Sequence, residues 1–225
     1  MRRAARDLFE VLELMASEGR HPVKDVLAAS PDSFTEGSRY PPPEGVQDAA
    51  TGSAWYYHAH ERPWDEHGHF HCFRYAELVR PGATPIALPD EPELEKNGVV
   101  HLAALCVDAN GLPMRLFTIN QWASGEWMYP AREVAPLVEG FRLGGETALP
   151  LVSRWLSAML GVCQPQIAWL LHERDRVLAD RRALDPAGFA KDRSIEITSA
   201  LTFDLDAHLA ALDTAWSHRP DRPPT

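Results

Sequence analysis

Five histidines stand within fourteen residues, at positions 58, 60, 67, 69 and 71, and within each group they recur at every second residue. A period of two belongs to a β-strand, where successive side chains point to opposite faces; on a helix the same spacing would scatter the imidazoles around the axis. The pattern therefore requires two strands, with Tyr56, His58 and His60 sharing one face of the first and His67, His69, His71 and Phe73 one face of the second. If residues 61–66 close a hairpin with His60 opposite His67, then His58 faces His69, Tyr56 faces His71, and both rows lie on one side of the sheet. A slip of one residue would put them on opposite faces.

The rest of the chain is organised around that hairpin. Residues 54–61, 67–75, 98–108 and 113–120 are rich in aromatic and β-branched side chains and read as antiparallel strands. Asn110-Gly111 suits a type I′ turn, which sets Val107 opposite Met114, Leu105 opposite Leu116, Ala103 opposite Thr118 and His101 opposite Asn120. Pro113 lacks an N–H and places its strand at an edge, or at its own start. Residues 4–17 carry Leu8, Val11, Leu12 and Met15 at helical spacing, and residues 132–140, 147–160, 165–182 and about 204–216 repeat that pattern. Residues 18–53 read as a loop, rich in Pro, Gly and Ser beyond position 30. The expected fold class is α+β, an antiparallel sheet or small barrel over 54–122 in one domain of residues 1–217. An N-terminal helix and a helical layer over 131–217 pack on it, and a tail follows at 218–225.

The histidine rows carry the chemistry. Facing Cβ atoms on one side of a sheet lie about 4.5–5.5 Å apart, so imidazoles from both strands converge on one ion. Neutral imidazole binds iron, copper, zinc and nickel. A lone histidine pair on a strand is more often hydrogen-bonded than metal-bound. Five in two adjacent strands reverse that balance, because so many buried imidazoles without partners would be costly. The expected ligands are His58, His60, His69, His71 and His101, the last opening the next strand, with Glu66 or Glu61 supplying a carboxylate. Tyr56 and Glu66 are candidate catalytic groups, Tyr56 as a proton donor or radical site, although it equally suits a place in the core as an amphipathic tyrosine. Asn120 and Trp122, at the end of the second hairpin, are candidate substrate contacts, although Trp122 suits a packing role better.

Several function classes are excluded. Lys plus Arg number 22 and Asp plus Glu 32, a net charge of −10, which repels nucleic acid and anionic lipid. Three scattered cysteines give no disulfide framework, and with no signal peptide at the N-terminus the expectation is a cytoplasmic protein. No apolar run is long enough for a membrane span. Gly144-Gly145 has no phosphate-loop continuation, so no nucleotide cofactor is expected. No G-x-S-x-G elbow occurs, and no histidine follows His60-Glu61 at the metalloprotease distance.

Gly52, His58 and His60, in the spacing G-x5-H-x-H, resemble the start of the first cupin motif. That resemblance implies a metal held by His58 and His60 in a β-barrel. Glu66 falls later than the cupin pattern places its glutamate, and the second cupin motif is not recognisable. The overall pattern also resembles an uncharacterised bacterial His-rich family. The expectation is a metal-dependent oxidoreductase with one transition-metal ion, iron first, then copper or zinc, acting on a small molecule; a homodimer is compatible with it. The alternatives are a non-enzymatic metal- or haem-binding protein and a pH-responsive interaction domain.

Overall fold

A computed structural model describes residues 1–29, 35, 37–59, 66–91, 98–144 and 147–217. Its centre is one antiparallel sheet of six strands: β1 (Val46–Asp48), β2 (Ser53–His58), β3 (Gly68–Tyr75), β4 (Val99–Val107), β5 (Pro113–Ile119) and β6 (Ile197–Thr202). Each strand pairs with its neighbour in sequence, in the order β1-β2-β3-β4-β5-β6. The fold class is α+β, as the sequence indicates, and the sheet is a meander rather than the Greek-key jelly roll of cupins.

The four expected strands are present, and two more flank them. β1 is a three-residue strand inside the segment read as loop, too short to show a period. β6 is half-exposed and rich in Ser and Thr, between two helical stretches. The loop reading of 18–53 also misses α2 (Pro22–Ala28), which starts with proline in its first turn and an N-cap from His21 Nδ1 to the Lys24 N–H. His60 and Glu61 lie outside the described residues, as does the tail 218–225.

The second hairpin keeps its predicted register with a different turn. Leu105 pairs with Leu116 as expected, but Val107 pairs with Pro113 instead of Met114. Only Gly111 has positive φ at this turn; Asn110 does not. The turn is thus a longer one in which Asp108 N–H donates to the Leu112 carbonyl, and a bulge absorbs the extra residue.

One face of the sheet packs against helices. Trp55, Tyr57, Phe70, Cys72, Leu102, Leu105 and Leu116 share a core with residues of α5 (Pro150–Val162) and α6 (Gln164–Leu184). Phe70 lies edge-on to both Trp55 and Trp155, at 5.7 and 5.4 Å between ring centres. Trp55 Nε1 donates to Ser153 Oγ at 2.9 Å, satisfying an indole N–H in an otherwise apolar layer. Behind α5 lies α1 (Arg2–Ser17), burying Leu8, Val11 and Met15 at the predicted spacing. Two short helices, α3 (Gln121–Ser124) and α4 (Ala131–Val134), follow β5, and α7 (Leu205–Ser217) closes the described chain. Among the described residues no helix is long and apolar enough to cross a membrane. The other face of the sheet carries the histidines.

Candidate metal centre

The hairpin of β2 and β3 has the register that alternation requires: His58 opposite His69 and Tyr56 opposite His71. Continued across the sheet, His69 faces Cys106 on β4, and Cys106 faces Arg115 on β5. One transverse row thus carries imidazole, imidazole, thiol and guanidinium. The adjacent row runs Tyr56, His71, Ala104 and Phe117. His67 departs from the expected row: it precedes β3, and its Nδ1 lies 2.5 Å from the Tyr57 hydroxyl, a side chain of the helical face.

His101 reaches this face through an irregularity. Strict alternation from Leu105 would turn His101 toward the helices. Instead Cys72 pairs with Ala103 while Phe73 pairs with His101, leaving Leu102 as the extra residue of a β-bulge. Leu102 and Ala103 both enter the helical core, and the strand is rephased so that His101 faces His71. Bulges re-aim side chains in this way beside functional sites.

The imidazoles are buried and close together. His69, His71 and His101 are each 5% exposed or less. His71 Nδ1 lies 3.1 Å from His101 Nε2, and His69 Nδ1 lies 2.9 Å from Glu66 Oε1. Ring centres are 4.8 Å apart for His69 and His71 and 5.2 Å for His71 and His101. At metal–nitrogen distances of about 2.1 Å, two donors at adjacent positions on one ion stand about 2.9–3.4 Å apart, with ring centres at about 4.5–5.2 Å. Both spacings suit a pair of ligands, although His71 and His101 also stand at hydrogen-bond distance, and the group of three donors that meets within 4.8 Å among the described residues is Glu66, His69 and Cys106 rather than three imidazoles. His58, half-buried, bonds through Nδ1 to the Ser38 carbonyl at 3.1 Å, which fixes the tautomer whose Nε2 bears the lone pair.

At the Glu66 end of the row, donor atoms of Glu66, His69 and Cys106 all lie within 4.8 Å of one another. Glu66 also accepts from Arg115 at 2.8 Å. Desolvation opposes the carboxylate's charge, but the hydrogen bonds to His69 and Cys106 and the nearby charges of His69 and Arg115 outweigh it and hold Glu66 at about 2. Burial keeps His71 well below the ordinary imidazole value; burial, with the nearby Arg174 charge, brings His101 to about 3. Burial also raises the Cys106 thiol to about 12, with the Glu66 charge adding to it. Tyr56 is pushed up to about 12 by burial, so its hydroxyl keeps its proton at neutral pH.

Tyr56 stacks on Phe73 and borders His71 at 4.8 Å. Tyr56 and Phe73 also line a cleft of about 90 Å³ with Arg39, Gln47 and Ser124. Asn120 and Trp122 are occupied elsewhere. Asn120 Nδ2 donates to the Phe189 carbonyl and its Oδ1 caps α3, while Trp122 Nε1 donates to the Ile195 carbonyl. Both tie α3 to the segment before β6. Nothing in the sequence around Cys106 marks it as a ligand, although its place one strand from His69 is a direct consequence of the register.

The chain belongs to the family described as Domain of unknown function (DUF6969), whose model matches residues 2–203. No curated protein and no solved structure matches it. The family match spans the helical half as well as the sheet, whereas the cupin-like spacing is confined to Gly52–His60.

Proposed function

We propose that the histidine face is the transition-metal centre of a metal-dependent oxidoreductase acting on a small molecule. The observation that carries this reading is the 3.1 Å separation of His71 Nδ1 and His101 Nε2, with His69 of the adjacent row next to His71 and His58 next to His69. Both imidazoles are buried and disfavour a proton, and the neutral imidazole is the form that binds a metal. Imidazoles with a carboxylate suit iron(II) or copper. Bound here, such an ion would supply redox chemistry, while Tyr56 borders both His71 and the cleft as an O–H donor. Glu66 orients His69 and Arg115 balances its charge. Three buried free thiols, Cys72, Cys106 and Cys163, make a reducing compartment part of the proposal.

Untagged protein, purified without chelator and assayed by elemental analysis, is expected to hold about one equivalent of iron or copper per chain. His71→Ala with His101→Ala is expected to lose it while keeping its helical circular dichroism. Wild-type protein that neither retains nor takes up iron, copper or zinc would overturn the proposal, as would a double variant that keeps full stoichiometry. The deep burial of His69, His71 and His101 favours one second reading, a non-enzymatic metal store or sensor. It predicts a saturated ion with no exchangeable water by proton relaxation, where an enzyme keeps an open position.

A further inference from the structure

The row through His69 contains a donor that the histidine pattern does not announce. Cys106 is the direct cross-strand partner of His69, and the two lie on the same face. Its thiol is buried. The other two cysteines are buried as well, but elsewhere: Cys72 and Cys163 both belong to the apolar core on the helical side. Cys106 instead packs with Ala104, Phe117 and Ile119 on the histidine face. Beside it, Glu66 and His69 bring an oxygen and a nitrogen to within 4.8 Å of the sulfur and of each other. Arg115 Nη2 lies 3.6 Å from the sulfur and 2.8 Å from Glu66.

Three different donor types meeting at one buried point are hard to explain by packing. An apolar residue at 106 would fill the space next to Phe117 as well as a thiol does. In the metal-free protein the thiol donates to the Glu66 carboxylate, a contact that an incoming ion would replace. A guanidinium beside both does have a use if the thiol ionises, because a carboxylate and a thiolate side by side repel each other strongly in a medium of low dielectric.

We propose that Cys106 binds a metal ion as a thiolate, in one donor set with His69 and Glu66, and that Arg115 is a positioning residue that offsets the repulsion between the two anionic donors. The proposal rests on the reading that this face holds a metal, and it names the class of ion. Imidazole and carboxylate alone leave iron(II) and copper nearly equal. A thiolate shifts the preference to ions that hold sulfur, copper and zinc ahead of iron, and removes magnesium, calcium and manganese. Binding is a substitution without change of oxidation state. The S–H bond breaks, the sulfur–metal bond forms, and the proton leaves to solvent, one per ion bound.

Cobalt(II) tests this directly, because it takes zinc and copper sites, does not oxidise thiols, and reports thiolate ligation by a near-ultraviolet charge-transfer band separate from its visible ligand-field bands. Metal-free full-length protein is titrated anaerobically with cobalt(II). Wild type and Cys72→Ala are expected to show both sets of bands. Cys106→Ser is expected to keep ligand-field bands at an affinity reduced 10- to 100-fold and to lose the charge-transfer band. X-ray absorption of the wild-type cobalt protein needs no variant and is expected to show a sulfur neighbour at about 2.3 Å. Ligand-field bands without charge transfer, or a first shell without sulfur, would overturn the thiolate proposal and leave the metal reading standing. A charge-transfer band that persists in Cys106→Ser assigns the sulfur elsewhere and also overturns it. No cobalt spectrum at all would overturn the metal reading and the thiolate with it.

Discussion

The acid response of the metal-free protein follows from the burial of His71. In the unfolded chain this imidazole titrates near its ordinary value of about 6.5; in the folded protein burial among His69, His101 and His58 keeps it well below that. Below about pH 6.5 the unfolded state therefore binds a proton that the folded state refuses. The sign is fixed: His71 contributes stability that is complete above the unfolded value and drains away as pH falls. Between pH 6 and 5 the unfolded imidazole averages about nine-tenths protonated, so His71 alone should cost about 1.2 kcal/mol across that unit of pH. His101, held at about 3 by burial and the Arg174 charge, should add a similar amount. This window lies above the range where carboxylates titrate, and Glu66, held at about 2, adds its own loss only below about pH 4.5. The perturbation is His71→Gln, which keeps a polar side chain and removes the titration. Urea unfolding of chelator-treated wild type and variant at pH 7.5, 6 and 5 gives the two slopes. Wild type is expected to lose about 1.2 kcal/mol more than the variant between pH 6 and 5. Equal slopes would refute the reasoning, for they would show that His71 takes up protons in the folded state as readily as in the unfolded one.

Two further outcomes test the scaffold. Gly68→Ala would place a methyl group 2.6 Å from the His58 carbonyl and the Tyr57 ring, so it should destabilise the protein by about 3 kcal/mol by forcing β2 from β3; an unchanged thermal midpoint would contradict this close approach. Ser153→Ala leaves the buried Trp55 indole N–H without its acceptor and should cost about 1–3 kcal/mol in chemical denaturation. An unaltered unfolding midpoint would mean that this bond does not join α5 to the sheet.

The hairpin at the centre of the site was legible because two independent constraints agreed on it. Alternation fixed which residues of 56–60 and 67–73 share a face, and the short connection left few registers, so His58 with His69 and Tyr56 with His71 followed. Leu105 with Leu116 was legible for the same reason, and survived a wrong turn type because the extra residue was absorbed by a bulge next to the turn. What alternation cannot show is its own interruption. Nothing in Leu102-Ala103 marks a bulge, since both side chains suit a core, and the register that set His101 opposite Asn120 carried it to the wrong face. His101 was still picked out, by its residue type and its place at the start of a strand. Cys106 was overlooked because a thiol in an apolar strand looks like core; only pairing β4 onto β3 sets it beside His69. β1 and β6 escaped because one is too short and the other too polar to announce a period. Asn120 and Trp122 stand out in sequence as a polar group beside an aromatic one, and the structure uses both to fasten α3 to a distant segment.

The bulge in β4 sets a rule of parity. His101 and Cys106 stand five positions apart, an odd interval, yet they serve the same face because one residue between them is left out of the alternation. Insertion or loss of a single residue within that interval would exchange the sides of imidazole and thiol, and a change of two would return them. A chain of this family that retains both donors has to preserve either the odd interval with its bulge or an even interval without one. The length of this short stretch, more than the identity of the residues in it, decides whether the two ends of β4 contribute to one site.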